Sequence, residues 1–204
     1  LRINKKKFIY LISPNKIYPE FYHDLNQVLR TGKVALFQLR LKKYSLKQKI
    51  VIGKKIQRIC KKNNIKFIVN DDPILSKTLN ADGCHLGQKD MDIKNARKII
   101  GKKIIGVTCH NSIKLAKAAI KENADYIAFG AFFSTKTKKV IFKADIKILN
   151  KIKKLTKTPI VAIGGINFDN YKKLLLNNAN LLAISSYVWN NKKYKPLETI
   201  EKLK

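Results

Sequence analysis

Two cations stand directly after a short apolar segment, where they are placed to hold a diphosphate. The segment Gln38-Leu39-Arg40-Leu41-Lys42 alternates polar and apolar residues. In an extended strand this alternation points Gln38, Arg40 and Lys42 to one side and turns the two leucines towards the helices. A guanidinium fork beside an ammonium group suits paired phosphates. Arginine is scarce in this chain, so Arg40 is the stronger candidate, whereas Lys42 is open to interpretation as one more surface lysine.

Carboxylates follow the next two apolar segments, although acidic residues are few in this chain. Asp71 comes soon after Phe67 to Val69, and Asp90 soon after Cys84 to Leu86. If these segments are neighbouring parallel strands, the carboxylates meet at one rim. There, two carboxylate oxygens with phosphate oxygens and waters would form a common ligand set for Mg²⁺. We therefore predict a magnesium site at Asp71 and Asp90, and expect Asp72, which precedes a proline, to cap a helix instead.

Further hydrogen-bonding residues lie near the same rim. Thr108 and His110 follow the segment Ile104 to Val107, and either could donate to a phosphate or to a substrate ring. Ser112 more simply caps the next helix. A lone histidine inside a strand is more often a hydrogen-bonded core residue than a ligand, and this is the expectation for His85.

A second phosphate site is indicated further along the chain. The loop Ser134-Thr135-Lys136-Thr137-Lys138-Lys139 alternates hydroxyl and ammonium groups, as phosphate-binding loops that close as lids do, although a solvated run of charge is the alternative. Gly164-Gly165 and Ser185-Ser186 end two later apolar segments. Many barrels hold a phosphate at this position through backbone N–H groups that glycine leaves accessible.

Eight short apolar segments must position these side chains, and each reads as a β-strand. They are Phe8 to Ile12, Leu36 to Leu39, Phe67 to Val69, Cys84 to Leu86, Ile104 to Val107, Tyr126 to Phe129, Ile160 to Ile163 and Leu182 to Ile184. The stretches between them have helical periodicity, namely Leu46 to Cys60, Ala96 to Ile100, Ser112 to Lys121, Ile146 to Lys154 and Tyr171 to Leu176. This alternation predicts the α/β class and a single (β/α)8 TIM barrel. An open doubly wound sheet is the competitor, but its GxGxxG loop is missing after the first strand.

The domain organisation is expected to be one barrel over residues 1–204, with a ragged, Lys-rich segment from about residue 190 in which Pro196 to Leu203 could form a closing helix. A triplet recurs before three strands, as Asn80-Ala81-Asp82, Asn123-Ala124-Asp125 and Asn178-Ala179-Asn180. Its residue types suit tight turns, so we expect it to be structural and to lie at the face away from the chemistry.

Composition narrows the class of protein. The net charge of +31 invites a nucleic-acid partner, but the lysines are spread over the helices without interleaved aromatic residues, so we expect no nucleic acid and a general attraction for phosphorylated small molecules. The three cysteines form no CxxC pair, which fits a reducing compartment. No apolar run is long enough for a membrane span, so no membrane partner is expected and the expected location is the cytoplasm. Assembly into a homo-oligomer is left open.

Several motifs together resemble the thiamine-phosphate synthase family over nearly the whole chain. They are QLRLK, NDD, ADGCHLGQKD, GVTCHN, GAFFSTKTK, VAIGGI and AISS, in the family's order and spacing. The resemblance implies a barrel enzyme that uses magnesium and joins hydroxymethylpyrimidine diphosphate to a thiazole phosphate, releasing pyrophosphate.

The resemblance also assigns residues. The pyrimidine diphosphate would be held by the segment from Gln38 through Leu39, Arg40 and Leu41 to Lys42, with Asn70, Thr108 and Lys138. Magnesium would be held by Asp71 and Asp90. The thiazole phosphate would be held by Thr135, Lys136, Thr137, Gly165, Ser185 and Ser186. Arg40, Lys42 and Lys138 would be the catalytic cations, because they would stabilise the departing pyrophosphate.

Two alternatives are weighed against this function. A thiazole tautomerase of related sequence would use an acid-base histidine and need no metal, and Asp90 with the QLRLK segment argues against it. A non-catalytic basic barrel that binds RNA is invited by the charge, and the intact set of rim residues argues against that.

Overall fold

The fold is a closed barrel of eight parallel strands in a computed structural model that describes residues 6–134 and 143–204. The strands pair in chain order, β1 to β8, and β8 pairs with β1. They are β1 (Ile9–Ile12), β2 (Val34–Leu39), β3 (Lys66–Asn70), β4 (Gly83–Leu86), β5 (Ile104–His110), β6 (Tyr126–Phe129), β7 (Ile160–Ile163) and β8 (Leu181–Ile184). The predicted (β/α)8 TIM barrel is therefore confirmed.

Helices follow the strands and form the outer layer. They are α1 (Phe21–Arg30), α2 (Leu46–Lys62), α3 (Pro73–Thr78), α4 (Ile93–Ile100), α5 (Ile113–Lys121), α6 (Lys147–Lys153), α7 (Tyr171–Leu176), α8 (Ser186–Trp189) and α9 (Pro196–Lys202). Side-chain caps fix several of their starts. Asp72 accepts from the Leu75 N–H at 2.9 Å, and Ser112 accepts from the Leu115 N–H at 3.2 Å. Both predicted caps are thus confirmed.

The C-terminal segment ends in an ordered helix. Pro196 begins α9, as the sequence suggested, and Leu203 just beyond it is buried. Lys33, just before β2, donates to the carbonyl oxygens of Ile200, Glu201 and Leu203 at 3.3, 2.9 and 2.9 Å. A cation at the last carbonyls of a helix stabilises its C-terminus, so Lys33 ties the last turn of α9 to the barrel.

Apolar side chains form two layers, because successive residues of a strand face opposite sides. The larger cluster lies between the strands and the helices and includes Leu39 and Leu41. The smaller fills the barrel interior and contains Tyr10, Ile12, Leu36, Ile68, Tyr126, Ala128, Val161, Leu181 and Ala183. Two members of the inner layer carry hydroxyl groups, which matters for the site above it.

The recurring Asn-Ala-Asp/Asn triplets tie pairs of strands together at the face away from the site. Each opens with an asparagine at positive φ, 46° at Asn80, 60° at Asn123 and 73° at Asn178. The third residue accepts from a backbone N–H of the preceding strand: Asp82 from Phe67, Asp125 from Ile105 and Asn180 from Ile160, each at 2.9 Å. The expected structural role of Asp82 and Asp125 is confirmed.

Over the described parts of the chain, none of the helices has the length and apolar character to cross a bilayer. The three cysteines, Cys60, Cys84 and Cys109, are buried and unbonded to one another.

Candidate active site

The end of β2 separates polar from apolar side chains as the sequence predicted. Gln38 is only 3% exposed and donates to the Tyr10 hydroxyl inside the barrel at 2.7 Å. Leu39 and Leu41 pack in the outer core. Arg40 lies at the rim, where its Nη1 is 3.5 Å from the Asn15 Oδ1. Burial lowers the pKa of Arg40, against the opposing effect of the Asp71 carboxylate. The Arg40 guanidinium and the Asp71 carboxylate are therefore close enough to attract each other.

The two predicted metal-binding carboxylates meet at the neighbouring strand ends. Asp71 follows β3 with a φ of 64°, and its backbone N–H donates to the His85 carbonyl at 2.8 Å. Its Oδ2 lies 3.3 Å from the Lys42 ammonium nitrogen. Asp90 accepts from the Gly87 N–H at 2.7 Å. Burial raises the pKa of Asp90, and a hydrogen bond with the Asp71 side chain raises it further. The two carboxyl groups are therefore in contact.

This pair fits Mg²⁺ by its chemistry. Both groups offer only oxygen as a ligand atom. Burial first and the neighbouring Asp71 second raise the pKa of Asp90, so a bound cation would favour the ionised form of the pair. Within the described residues no cluster of three or more histidine, cysteine or acidic side chains is arranged to hold a metal. The protein would thus supply two carboxylates, and substrate oxygens and waters would complete the shell.

A cleft beside these carboxylates brings in one cation that the sequence reasoning missed. It is lined by Leu39, Leu41, Lys42, Lys49, Asn70, Asp71, Asp72 and Leu75. Lys49 lies in the first turn of α2 and does not follow a strand, so its position in the sequence does not indicate that it lies near the site. Asn70 also lines this cleft.

A chain of hydrogen bonds crosses the barrel interior below the rim. The Tyr10 and Tyr126 hydroxyls are 2.7 Å apart, the Tyr126 hydroxyl is 3.0 Å from the His85 Nδ1, and the His85 Nε2 is 2.8 Å from the Thr108 Oγ1. Gln38 is at the other end, bonded to Tyr10. His85 is 8% exposed and burial lowers its pKa to about 4. The prediction that His85 is a hydrogen-bonded core residue is confirmed.

The predicted phosphate side lies at the ends of β7 and β8. Gly164 and Gly165 have φ of 105° and 63°. A Cβ at Gly165 would lie 2.3 Å from the Ser134 carbonyl oxygen, so glycine is required where the loop after β6 passes closely. Ser185 donates to the Ser13 carbonyl at 3.1 Å, and Ser186 begins α8. Thr135, Lys136, Thr137 and Lys138 lie outside the described residues.

Ser13 connects the two sides of the rim and was not singled out from the sequence. It is 2% exposed. Its hydroxyl accepts from the Arg40 N–H at 2.9 Å and is 3.3 Å from the Arg40 carbonyl, while its carbonyl accepts from Ser185. A single serine followed by proline gives no pattern that distinguishes it from a turn residue. Its buried contacts place it between the candidate diphosphate and phosphate sites.

The fold is a parallel (β/α)8 barrel that carries cations, paired carboxylates and glycine turns at the carboxyl ends of its strands. This combination is typical of barrel enzymes that act on phosphorylated compounds. A family model described as Thiamine monophosphate synthase matches residues 9–188. The chain belongs to this family.

Individual relatives agree. The chain is 66% identical over 205 residues to the thiamine-phosphate synthase of Pelagibacter ubique (strain HTCC1062), covering 100% of this chain and 98% of that protein. It is 40% identical over 186 residues to that of Erythrobacter litoralis (strain HTCC2594), covering 89% and 87%. The structure of a thiamine phosphate pyrophosphorylase from Pyrococcus furiosus superposes with a TM-score of 0.84 at 31% identity, covering 98% and 94%.

The family resemblance read from the motifs is thereby confirmed, and the chain is a transferase of thiamine biosynthesis. Neither the tautomerase nor the nucleic-acid-binding alternative is favoured by these comparisons.

Proposed function

We propose that this chain uses the rim residues described above to join hydroxymethylpyrimidine diphosphate to a thiazole phosphate, forming thiamine phosphate and pyrophosphate. The observation that carries the assignment is the convergence of Arg40, Lys42, Asp71 and Asp90 on adjacent strand ends. Two cations and two carboxylates on adjacent strand ends match a diphosphate that is bound together with a divalent cation.

In this reaction the bond between the exocyclic methylene and the diphosphate oxygen breaks, and the thiazole nitrogen forms the new bond to that carbon. The electron-rich pyrimidine supports positive charge at the methylene, so the main demand is to stabilise the pyrophosphate as it departs. Arg40 and Lys42, with Lys138, would supply positive charge there. We assign no nucleophilic side chain and no general base.

Asp71 and Asp90 would hold Mg²⁺. When bound, the ion would neutralise charge on the departing pyrophosphate. The Lys42 ammonium nitrogen lies 3.3 Å from the Asp71 Oδ2, beside the two carboxylates. Lys42 and Arg40 would therefore bind the same diphosphate. Gln38, Asn70 and Thr108 would bind the rest of the pyrimidine substrate, together with the backbone at Leu39 and Leu41.

The thiazole phosphate would bind on the opposite side of the rim, at Gly165, Ser185 and Ser186, with Thr135, Lys136 and Thr137. The positive φ at Gly164 and Gly165 supports this placement, because it turns the backbone sharply at the end of β7. The net charge of +31 attracts both phosphorylated substrates. We place this biosynthetic reaction in the cytoplasm.

The test measures magnesium-dependent release of pyrophosphate and formation of thiamine phosphate, detected by fluorescence after oxidation. Asp71→Asn and Asp90→Asn should each lose at least about 100-fold in kcat/KM, as removal of one electrostatic contact in an active site does. Asp92→Asn is the matched control, because Asp92 lies in the same loop as Asp90 but caps α4 through the Asn95 N–H at 2.8 Å.

The outcomes are separable. Failure of the unaltered enzyme to form thiamine phosphate from both substrates would refute the reaction. Full activity in Asp71→Asn or Asp90→Asn, with unchanged dependence on magnesium, would refute the metal assignment alone.

A further inference from the structure

The hydrogen-bonded chain in the barrel interior has a direction that its donors and acceptors determine. The Gln38 Nε2 can donate a hydrogen bond but cannot accept one, so the Tyr10 oxygen accepts from it at 2.7 Å. The Tyr10 hydrogen then lies on the 2.7 Å contact to Tyr126, and the Tyr126 hydrogen on the 3.0 Å contact to the His85 Nδ1. His85 therefore carries its proton on Nε2 and donates to the Thr108 oxygen at 2.8 Å.

The reverse order is disfavoured by burial. If His85 donated from Nδ1 to Tyr126, Tyr126 would donate to Tyr10, whose oxygen already accepts from Gln38. Among the residues that the structure describes, the Tyr10 hydrogen would then have no acceptor, and both tyrosines are almost completely buried. An unsatisfied buried donor costs about 1–3 kcal/mol. The forward order satisfies both tyrosine hydroxyls and both ring nitrogens of His85.

The direction determines what Thr108 can offer a substrate. Its oxygen accepts from His85, so its own hydrogen points away from His85 and is available to an acceptor at the rim. Thr108 is half-buried near the mouth of the barrel, above the inner apolar layer. A ring nitrogen of a pyrimidine is an acceptor of the required kind.

We propose that Tyr10, Tyr126 and His85 are positioning residues that hold the Thr108 hydroxyl as a hydrogen-bond donor to the pyrimidine ring. The proposal rests on the proposed function, because it requires the pyrimidine substrate to lie against Thr108. The three residues act through Thr108. A ring that offers a donor in place of the acceptor nitrogen is rejected, since two hydrogens would then face each other.

Packing supports a fixed arrangement. The His85 and Tyr126 rings stack with centroids 5.6 Å apart and an interplanar angle of 16°, and the Tyr10 ring meets the Tyr126 ring edge-on at 89°. These contacts hold the rings whether or not the hydroxyl groups are present. Tyr126→Phe therefore removes one link of the chain and keeps the ring packing.

The experiment combines nitrogen NMR of the histidines with steady-state kinetics on the full chain. In the unaltered protein at neutral pH, the His85 signal, identified by its loss in His85→Gln, should show the tautomer protonated at Nε2. Tyr126→Phe should lose that preference and raise KM for the pyrimidine diphosphate about five- to tenfold, the equivalent of one hydrogen bond. KM for the thiazole phosphate should not change.

Two further variants separate positioning from a general loss of stability. Tyr171→Phe removes another buried tyrosine hydroxyl, which contacts the Lys204 carbonyl at 2.6 Å on the outer layer. It should lower stability and leave the His85 tautomer and KM for the pyrimidine diphosphate unchanged. Thr108→Val should raise that KM as Tyr126→Phe does, and the double variant should be no worse than Thr108→Val alone, because both act through one hydroxyl.

Several results would overturn the proposal. A His85 protonated at Nδ1 in the unaltered protein refutes the direction of the chain, whatever the variants do. Additive effects of Tyr126→Phe and Thr108→Val, or an unchanged tautomer and KM in Tyr126→Phe, refute the positioning role. If the unaltered enzyme forms no thiamine phosphate, the proposed function fails, whereas the NMR result still decides the direction of the chain.

Discussion

Replacement of Gly106 by alanine should destabilise the barrel by overpacking its interior. Gly106 lies on β5 and faces the Tyr126 ring of β6. A Cβ at this position would lie 1.8 Å from the Tyr126 Cζ and 2.2 and 2.4 Å from its two Cε atoms. These separations are far below van der Waals contact, so Tyr126 or the strand must move.

The magnitude follows from how little Tyr126 can yield. Its ring is fully buried, and its hydroxyl is held at 2.7 Å by Tyr10 and at 3.0 Å by His85. Overpacking typically costs about 1–3 kcal/mol, and a ring fixed at both ends places Gly106→Ala near the upper limit. For a chain of this size, 3 kcal/mol corresponds to a fall in Tm of roughly 6–12 °C.

The assay is urea unfolding followed by circular dichroism, with Gly32→Ala as the control. Gly32 has a φ of 72°, and a Cβ there would meet nothing within 4 Å. That variant bears only the backbone strain of a residue at positive φ, about 1 kcal/mol. In a Tyr126→Ala background the clash disappears, and Gly106→Ala should cost little more. Equal losses in Gly106→Ala and Gly32→Ala, or an undiminished cost in the Tyr126→Ala background, would show that the steric reasoning is wrong.

Two further predictions concern stability. Burial lowers the pKa of His85 from 6.5 to about 4, so the unfolded chain binds its proton more tightly. The free energy of unfolding should therefore fall by up to about 3 kcal/mol as the pH drops from about 6.5 to 4. Urea unfolding at stepped pH should show a shallower fall in His85→Gln, and equal slopes would contradict this. Asp125→Ala leaves the Ile105 N–H, 2.9 Å from the Asp125 Oδ2, without its acceptor, and should cost about 2 kcal/mol at unchanged kcat/KM. The exposed Asp169→Ala is its control, and a comparable loss there would contradict the role of the turn.

Most of the strands could be predicted from the sequence, because each buried strand is a short apolar run between polar turns. Strand β5 is the instructive exception. The apolar run ends at Val107, yet β5 continues to His110 and pairs with β6 through an irregularity between Thr108 and His110. A hydropathy pattern identifies apolar strand residues, so it does not predict that polar residues such as Thr108 continue the strand. The extension is what carries Thr108 to the barrel mouth.

The contact between Asp71 and Asp90 could be predicted because parallel topology brings consecutive strand ends to one rim. The roles of Tyr10 and Tyr126 could not. A tyrosine inside an apolar run fits the hydrophobic pattern as well as phenylalanine does, and only the closed barrel brings two hydroxyls from β1 and β6 within 2.7 Å. Ser13 was missed for a related reason, since its partners Arg40 and Ser185 are far from it in sequence.

The distribution of these contacts separates what stabilises the barrel from what shapes its site. At the lower face, the Asn-Ala-Asp/Asn turns connect neighbouring strands through hydrogen bonds to the backbone N–H groups of Phe67, Ile105 and Ile160. In the interior, the side chains that fill the barrel also orient Thr108 and His85. A substitution at Asp125 should therefore alter stability alone, whereas one at Gly106 or Tyr126 should alter stability and substrate binding together. In the inner layer, packing and the proposed binding of the substrate therefore depend on the same side chains.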